Sequence, residues 1–144
     1  MANDFRSFSL KLDAFSAKVK IASANVIKHI ALDFFRHVVM NTPVDTGRAR
    51  ASWTIAVNQA DRSVMPEAHE GAVYPAAQAG FLSVGPGDSV IISNNLPYIT
   101  VLENGRQAHS GSIQAPFGMV AISMMEVRAN TAVLIAAGVQ DAGL

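Results

Sequence analysis

The sequence passes from helix to strand at Thr42-Pro43-Val44-Asp45-Thr46-Gly47-Arg48-Ala49-Arg50-Ala51-Ser52-Trp53. Proline lacks a backbone donor and disfavours helical geometry in the residue before it, so a preceding helix is predicted to end near Asn41 or Thr42. Asp45 can accept hydrogen bonds from backbone N–H groups that follow it, and Gly47 can adopt a positive φ. The stretch therefore predicts a helix–turn–strand joint.

Upstream of this joint, apolar residues recur at every third or fourth position, which is the spacing of one helix face. They are Leu12, Phe15, Val19, Ala22, Val26, Ile30, Phe34 and Val38. The pattern predicts one helix from about Phe8 to Met40, roughly 45 Å long at about 1.5 Å per residue. Because a domain of this size does not need such a long helix, its N-terminal part, with Lys11, Lys18 and Lys20, is expected to project onto a neighbouring subunit.

Downstream of the joint, alternating apolar residues predict a first strand from about Arg50 to Asn58, with Trp53 in the core or at an interface. Arg48 and Arg50 would then share one face, which either lines a channel and contacts phosphate or is an ordinary polar strand face. Residues 59–88 are rich in Pro, Gly and Ala, and too apolar for a solvated linker. They predict an inserted arm that orders against a neighbouring subunit, partly as a hairpin; the alternative is a flexible surface loop.

The remaining elements complete the predicted fold. Ser89–Asn94 is apolar enough to be a central strand, Pro97 suits a strand edge or a turn exit, and residues 98–102 form either a third strand or a short helical turn. Pro116 suits the first turn of a last helix over about 117–137. That helix is apolar nearly all round, which predicts burial on several sides, partly by oligomerisation.

Composition is consistent with one domain over residues 1–144 and with an α+β fold. The expected architecture is a long N-terminal helix, a small and mostly antiparallel sheet with the long insertion, and a C-terminal helix packed on the sheet. Half of the residues are hydrophobic, 15% are charged, and mean hydropathy is +0.25. A monomer of this size would struggle to bury so much apolar surface, so contacts with other subunits are expected. The absence of cysteine excludes a disulfide scaffold, a thiol nucleophile and cysteine-ligated metals.

Charge and hydropathy bear on membranes and DNA. The first 60 residues carry eight Lys and Arg against four Asp, whereas the rest carry three basic residues against seven acids. This asymmetry suits head-to-tail docking or a DNA-facing surface, and the alternative is ordinary solvated charge. The apolar window 117–138 holds Glu126, Arg128 and Asn130 at its centre, which predicts a buried helix and no membrane span. The N-terminus, with Asp4, lacks the order of a signal peptide, so none is expected.

Three segments, in order, resemble motifs of one family. The first is Pro43-Val44-Asp45-Thr46-Gly47 with the following Arg48 and Ser52-Trp53. The second, Asn94 to Gly105, is similar to Asn-x-x-Pro-Tyr-Ala…(Leu/Val)-Glu-x-Gly, and the third is Ala115-Pro116-Phe117. The family comprises small tail-completion, or head–tail joining, proteins of the neck of tailed-bacteriophage virions. The resemblance covers about residues 12 to 120, although the connection at 59–88 is longer than the family pattern.

The resemblance implies a virion protein at the head–tail junction, assembled in the host bacterial cytoplasm. It implies a ring, expected to be a hexamer, that joins the portal-side connector or adaptor to the tail tube or a terminator protein. DNA would be passing cargo in the channel, and no membrane is expected. The expected structural or interface residues are Pro43, Asp45, Thr46, Gly47, Arg48, Arg50, Trp53, Pro97, Tyr98, Glu103 and Gly105. Glu103 could pair with Arg48 or Arg50 of the same or a neighbouring subunit, worth at most about 1 kcal/mol if exposed.

Catalytic and cofactor-binding patterns are not found, so no enzyme, cofactor or metal is expected. His29, Asp33 and His37 share one helix face, but the two histidines are about 12 Å apart along the axis, too far to bind one metal. Pairs at i,i+4 on the surface are the simpler interpretation. Two alternative functions stay open: a tail terminator ring that caps the tail tube, and a DNA-binding module that uses the basic N-terminal helix.

Overall fold

A computed structural model describes residues 2–45, 47–64, 84–105 and 112–144, with side chains from Phe5 onward. The described residues form four helices and two strands. In chain order these are α1 (Ala2–Asn41), α2 (Arg48–Ala51), β1 (Trp53–Val57), β2 (Val90–Asn94), α3 (Ile99–Glu103) and α4 (Val120–Asp141). The strands pair antiparallel, with Trp53 opposite Asn94 and Val57 opposite Val90. The predicted α+β class, with its long N-terminal helix and antiparallel sheet, is confirmed.

The core lies against the C-terminal part of α1. Phe35, Val38 and Val39 are fully buried there, together with Met119 and with Trp53, which is 7% exposed. The core position predicted for Trp53 is therefore confirmed. Partly buried side chains of the sheet, of α3 and of the start of α4 pack around this cluster; they are Ile55, Ile92, Ile99, Leu102 and Val120.

The C-terminal helix lies antiparallel along α1. Near its start, Asn41 Nδ2 donates to Ser123 Oγ at 3.1 Å and to Glu126 Oε2 at 2.9 Å. Near its end, Gly138 packs directly against the backbone of Val26. The expected packing of this helix on the sheet is therefore wrong for most of its length: its N-terminal end joins the core cluster, but most of α4 contacts α1.

Burial of α4 is one-sided. Its buried residues are Ser123, Val127 and Gly138, all on the face toward α1. The prediction of burial on several sides is wrong for the single chain, because one helix partner can cover only one face of a helix. The opposite face remains open, with Met125 65% and Val133 70% exposed.

Two element boundaries differ from the predictions. Arg48–Ala51 is a helical turn and not the start of β1, since Ser52 Oγ and Ser52 N both donate to Arg48 O and close the turn. Arg48 and Arg50 therefore do not share a strand face. The last helix begins at Val120 and not near Phe117, because Gly118 has a φ of 84°, outside helical geometry. Pro116 consequently lies in the turn before this helix.

Other expectations have mixed outcomes. The helical alternative for residues 98–102 is confirmed by α3. In the described part of the chain β2 pairs with β1 alone, so it is not a central strand. α1 begins at Ala2, earlier than expected, and ends at Asn41 as the proline predicts.

Hydrogen bonds join the two ends of the insertion. Asn58 Nδ2 donates to Asp88 Oδ1 at 3.0 Å, and Ser89 N donates to Asn58 Oδ1 at 2.9 Å. Asn58 N in turn donates to Ser89 O at 2.8 Å, which extends the β1–β2 ladder by one step. Residues 65–83 lie outside the described residues, so the predicted arm stays a prediction. Thr46 and the loop 106–111 lie outside them as well.

Replacing Gly138 with alanine is expected to lower the free energy of unfolding by up to about 2 kcal/mol. A Cβ at this position would lie 2.5 Å from Val26 N and 2.7 Å from Val26 Cα, so the two helices must separate. Overpacking of this kind costs about 1–3 kcal/mol, which exceeds the roughly 1 kcal/mol gained in helix propensity. Thermal and urea unfolding curves, monitored by circular dichroism, measure the change in the free energy of unfolding.

The matched control is Ala136→Gly, on the exposed face of the same helix. It measures the intrinsic propensity difference without any contact to α1, at about 1 kcal/mol. If Gly138→Ala were stabilising by the amount that the control loses, α1 and α4 would not be in close contact.

Candidate functional site

The three segments that resemble the family motifs meet in one place, which we call the junction. It consists of residues 42–45 and 47–53, residues 94–105, and residues 112–119. The junction contains the end of α1, the whole of α2 and α3, and the approach to α4. Hydrogen bonds and close backbone contacts connect each segment to at least one other.

The first segment terminates α1. Thr42, which is buried, donates its hydroxyl to Val38 O at 2.6 Å and accepts from Trp53 Nε1 at 2.7 Å. Arg50 donates from its guanidinium to Thr42 O at 3.1 Å and to Met40 O at 3.3 Å. A helix end exposes carbonyl groups without partners, and basic side chains commonly satisfy them. In this chain Arg50 therefore caps α1, a role that the predicted strand face did not include.

Asn94 connects the first segment to the second. Its Nδ2 donates to Ala49 O in α2 at 2.8 Å, and its Oδ1 accepts from Leu96 N at 3.2 Å. Gly47 precedes α2 with a φ of 83°, a left-handed value that residues with a side chain rarely adopt. The glycine of the first motif and the asparagine of the second thus position the same short helix.

Glu103 connects the second segment to the third. Its Oε2 accepts from Met119 N and Val120 N, both at 2.8 Å, and its Oε1 accepts from Ala121 N at 3.2 Å. These N–H groups belong to the first turn of α4, where a negative charge is favourable. Among the described residues, the contacts of the Glu103 carboxylate are these backbone groups and not the expected Arg48 or Arg50. The signal that could have indicated this role is that Met119, at the N-cap of α4, provides no side-chain cap of its own.

Two glycines allow the second and third segments to touch through their backbones. A Cβ on Gly105 would lie 2.3 Å from Pro116 O, and a Cβ on Gly118 would lie 2.3 Å from Glu103 O. Both glycines also have positive φ, 64° and 84°. Gly105, the expected last residue of the second motif, therefore lies where a side chain would clash with the backbone.

Gln114 connects the third segment back to the first. Its Oε1 accepts from Val44 N at 2.9 Å, and its Nε2 donates to Val44 O at 3.3 Å. Sequence reasoning missed this residue, because a glutamine in a polar loop carries no local signal for a partner 70 positions away.

Two clefts of the junction share Pro43 and Gln114 in their linings. One, of about 230 Å³, is lined by both of the first two motifs, including Asp45 and Tyr98. The other, of about 300 Å³, lies beside Arg50 and Phe117. Both clefts are open to solvent and have mixed polar and apolar linings, with Tyr98 39% and Phe117 68% exposed. Pro97 and Asp45 are exposed as well.

The two histidines of the described residues, His29 and His37, lie on α1 outside the junction, and each contacts acidic side chains. His37 Nδ1 is 2.9 Å from Glu126 Oε2, and its Nε2 is 3.5 Å from Asp33 Oδ2, the expected i,i+4 neighbour. His29 Nε2 contacts Asp141 Oδ2 at 2.7 Å instead of Asp33. Among the described residues, no group of three or more such side chains is arranged to hold a metal.

Two carboxylates at the base of the insertion have shifted pKa values. Hydrogen bonds from the side chain and backbone of Ser63 lower the pKa of Asp61, and hydrogen bonds from the Asn58 side chain and the Gly85 backbone lower that of Asp88. Both groups therefore stay ionised at neutral pH. Neither belongs to the junction: Asp88 joins the two ends of the insertion through Asn58, whereas the carboxylate of Asp61 bonds to the neighbouring Ser63.

Comparison with protein-family models, curated proteins and solved structures gave no match. Within the described residues, α4 is long and apolar enough to cross a membrane, judged by length and composition alone. A soluble core helix passes the same criterion when most of it is buried, whereas 11% of this apolar window is buried. The outer face of α4 is thus left uncovered by the described residues.

Proposed function

We propose that this chain is a structural subunit of a bacteriophage neck. In this role it forms a ring, as a tail-completion or head–tail joining protein, and links the portal-side connector to the tail tube around the DNA channel. The observation that supports the proposal is that the three motif-like segments, distant in sequence, are those that interlock at the junction. The segments that resemble the family in sequence thus also share one location in the fold.

The geometry of the junction suits a mechanical role. Its polar side chains are used internally: Thr42 and Arg50 complete α1, and Glu103 completes α4. Its outward side chains include two large aromatic ones, Tyr98 and Phe117, beside the exposed Asp45 and Gln114. A rigid centre with exposed aromatic side chains suits a subunit that binds neighbours in a ring, whereas catalysis would require convergent polar groups.

Two other functions are compatible with parts of the chain. A tail terminator ring would require the same kind of contacts between subunits, but it would lie at a different position in the virion. A DNA-binding module is favoured by the exposed Lys11, Lys18 and Lys20 of α1, and it predicts an affinity that falls steeply with salt. A neck protein should show little affinity for DNA in isolation.

The test is electron microscopy of purified virions that carry a gold-binding label at the C-terminus of this chain. The C-terminal residues Gly143 and Leu144 are exposed beyond α4, so a label there should leave the junction intact. We expect gold at the head–tail junction, in multiple copies arranged around the axis.

The same preparation distinguishes the alternatives. Gold at the distal end of a neck that is otherwise complete would favour the terminator. Particles without gold, or gold elsewhere, would contradict the neck proposal, and salt-dependent binding to DNA by the purified protein would then favour the DNA-binding module.

A further inference from the structure

The first half of α1 has no partner within the described chain. We call residues 2–21 the free half of α1; it extends past the end of α4, whereas the next residue, Ala22, is buried. Five of its seven large exposed apolar side chains, all except Leu10 and Ile21, are spaced by three and four residues alternately, which is the heptad pattern of a helix-pairing seam. They are Phe5, Phe8, Leu12, Phe15 and Val19, with exposed fractions of 74%, 63%, 55%, 59% and 44%.

Pairing of two free halves with each other is disfavoured by charge. Lys11 and Lys18 flank the apolar stripe on one side, seven residues apart. In an antiparallel pair they would face the same lysines of the partner, and in a parallel pair they would face Ser16 and Ser23. Neither arrangement forms an ion pair, and the first brings like charges together.

The outer face of α4 is a second uncovered apolar surface, and it carries fewer charges than the free half. It is apolar, with exposed Met125 and Val133 among the exposed alanines Ala121, Ala129, Ala132 and Ala136. Arg128 is its one charged residue, since Glu126 and Asp141 bond to side chains of α1. At about 1.5 Å per residue, the 22 residues of α4 extend about 33 Å and the 20 residues of the free half about 30 Å.

We propose that the free half of α1 packs on the outer face of α4 of a neighbouring copy, head to tail. This inference deepens the proposed function, because it names the two surfaces by which subunits of a ring bind one another. The phenylalanines of one helix would occupy the spaces above the alanines of the other. Each copy then has both of its uncovered apolar faces covered, and the contact is heterologous, as a closed ring requires.

The area of the contact is sufficient for a specific interface. If a phenylalanine offers roughly 200 Å², the exposed parts of the five apolar side chains of the free half amount to about 550 Å². A comparable area on α4 brings the total to about 1,100 Å², just above the roughly 1,000 Å² that specific interfaces bury. The same 550 Å² is near the upper end of what a monomer leaves exposed in one patch.

Cysteine crosslinking tests this contact directly, because the chain contains no cysteine. Leu12→Cys is combined in turn with Ala129→Cys, Ala132→Cys and Ala136→Cys, since the register between the helices is not known in advance. Val26 lies against Gly138, so Leu12 and Ala132 of one chain are about 30 Å apart along the helix axes. A disulfide requires Cα atoms within about 7 Å, so each crosslink must join two copies.

We expect at least one pair to give a ladder of covalent oligomers on oxidation, in the purified protein at high concentration or in assembled particles. Each single cysteine variant serves as a control and should give no ladder. Adding Phe15→Gln to the crosslinking pair should reduce the ladder several-fold, whereas the unfolding midpoint should not change because Phe15 is outside the core.

Three results would overturn the inference. Covalent dimers from Leu12→Cys alone would show that free halves pair with each other. Co-flotation with phosphatidylglycerol-containing vesicles, without a ladder, would assign the apolar faces to a lipid surface. A missing ladder in both preparations would exclude the contact. If gold labels the neck but no ladder forms, the inference fails and the proposed function stands. If a ladder forms but the protein is absent from virions, the contact between copies stands and the proposed function fails.

Discussion

Gly105→Ala is expected to lower the free energy of unfolding by about 3 kcal/mol or more. Two costs add at this residue. Its φ of 64° is left-handed, which costs a residue with a side chain about 1–2 kcal/mol. The new Cβ would also lie 2.3 Å from Pro116 O and 2.8 Å from Pro116 C, backbone atoms that cannot rotate away. Overpacking adds about 1–3 kcal/mol, and a domain of this size is stable by only about 5–15 kcal/mol in total.

A matched glycine separates the two costs. Gly87 has a φ of 82°, but a Cβ there would meet nothing within 4 Å. Gly87→Ala should therefore lose about 1–2 kcal/mol from backbone strain alone. Urea unfolding of both variants, monitored by the fluorescence of the buried Trp53, gives the comparison. Equal losses for the two variants would mean that Gly105 does not pack against Pro116, and the junction as described would be wrong.

Glu103→Ala is expected to lower the free energy of unfolding by about 2–3 kcal/mol. The change removes the acceptor of three backbone N–H groups at the start of α4, one of them on the fully buried Met119. Hydrogen bonds to a charged group are worth about 1.5–3 kcal/mol, and a lost helix cap about 0.5–2 kcal/mol. Urea unfolding gives the loss, and hydrogen exchange should show faster exchange at Met119, Val120 and Ala121.

Two further variants identify the cause. Glu103→Gln keeps one acceptor oxygen but loses the charge and presents an amide donor to N–H groups, so an intermediate loss of about 1 kcal/mol or more is expected. Asp13→Asn removes the same charge from an exposed position of the free half and should have little effect. If Glu103→Ala cost no more than Asp13→Asn, the carboxylate would not cap α4.

The variants fall into two groups, which should differ in their effects on stability and on assembly. Changes at Gly105, Glu103 and Gly138 act on the fold, so they should reduce stability and assembly together. Changes in the free half of α1, such as Phe15→Gln, should reduce assembly and leave the unfolding midpoint unchanged, because Phe15 is 59% exposed. Measuring both properties on both sets therefore tests whether the free half is a binding surface.

Local patterns in the sequence were sufficient for a large part of the fold. The three-and-four spacing of apolar residues predicted α1, and Pro43 predicted its end. Alternation after Trp53 predicted β1 and the burial of the indole, although the strand begins later than expected. The common reason is that these signals act between residues at most about four positions apart. The residues that interact are therefore neighbours in the sequence, where the pattern is visible.

Tertiary structure alone decided how the segments interact. Glu103 caps a helix that begins 17 residues later, and Gln114 binds a backbone group 70 positions earlier. The sequence could not distinguish an Arg-Ala-Arg-Ala strand start from a helical turn, because the turn depends on Gly47 and on Asn94 across the sheet. Nor could it show that α4 is covered on one face only. Residue type determines what a side chain can bond to, but distant contacts determine which partner comes within reach, and that is known only once the chain has folded.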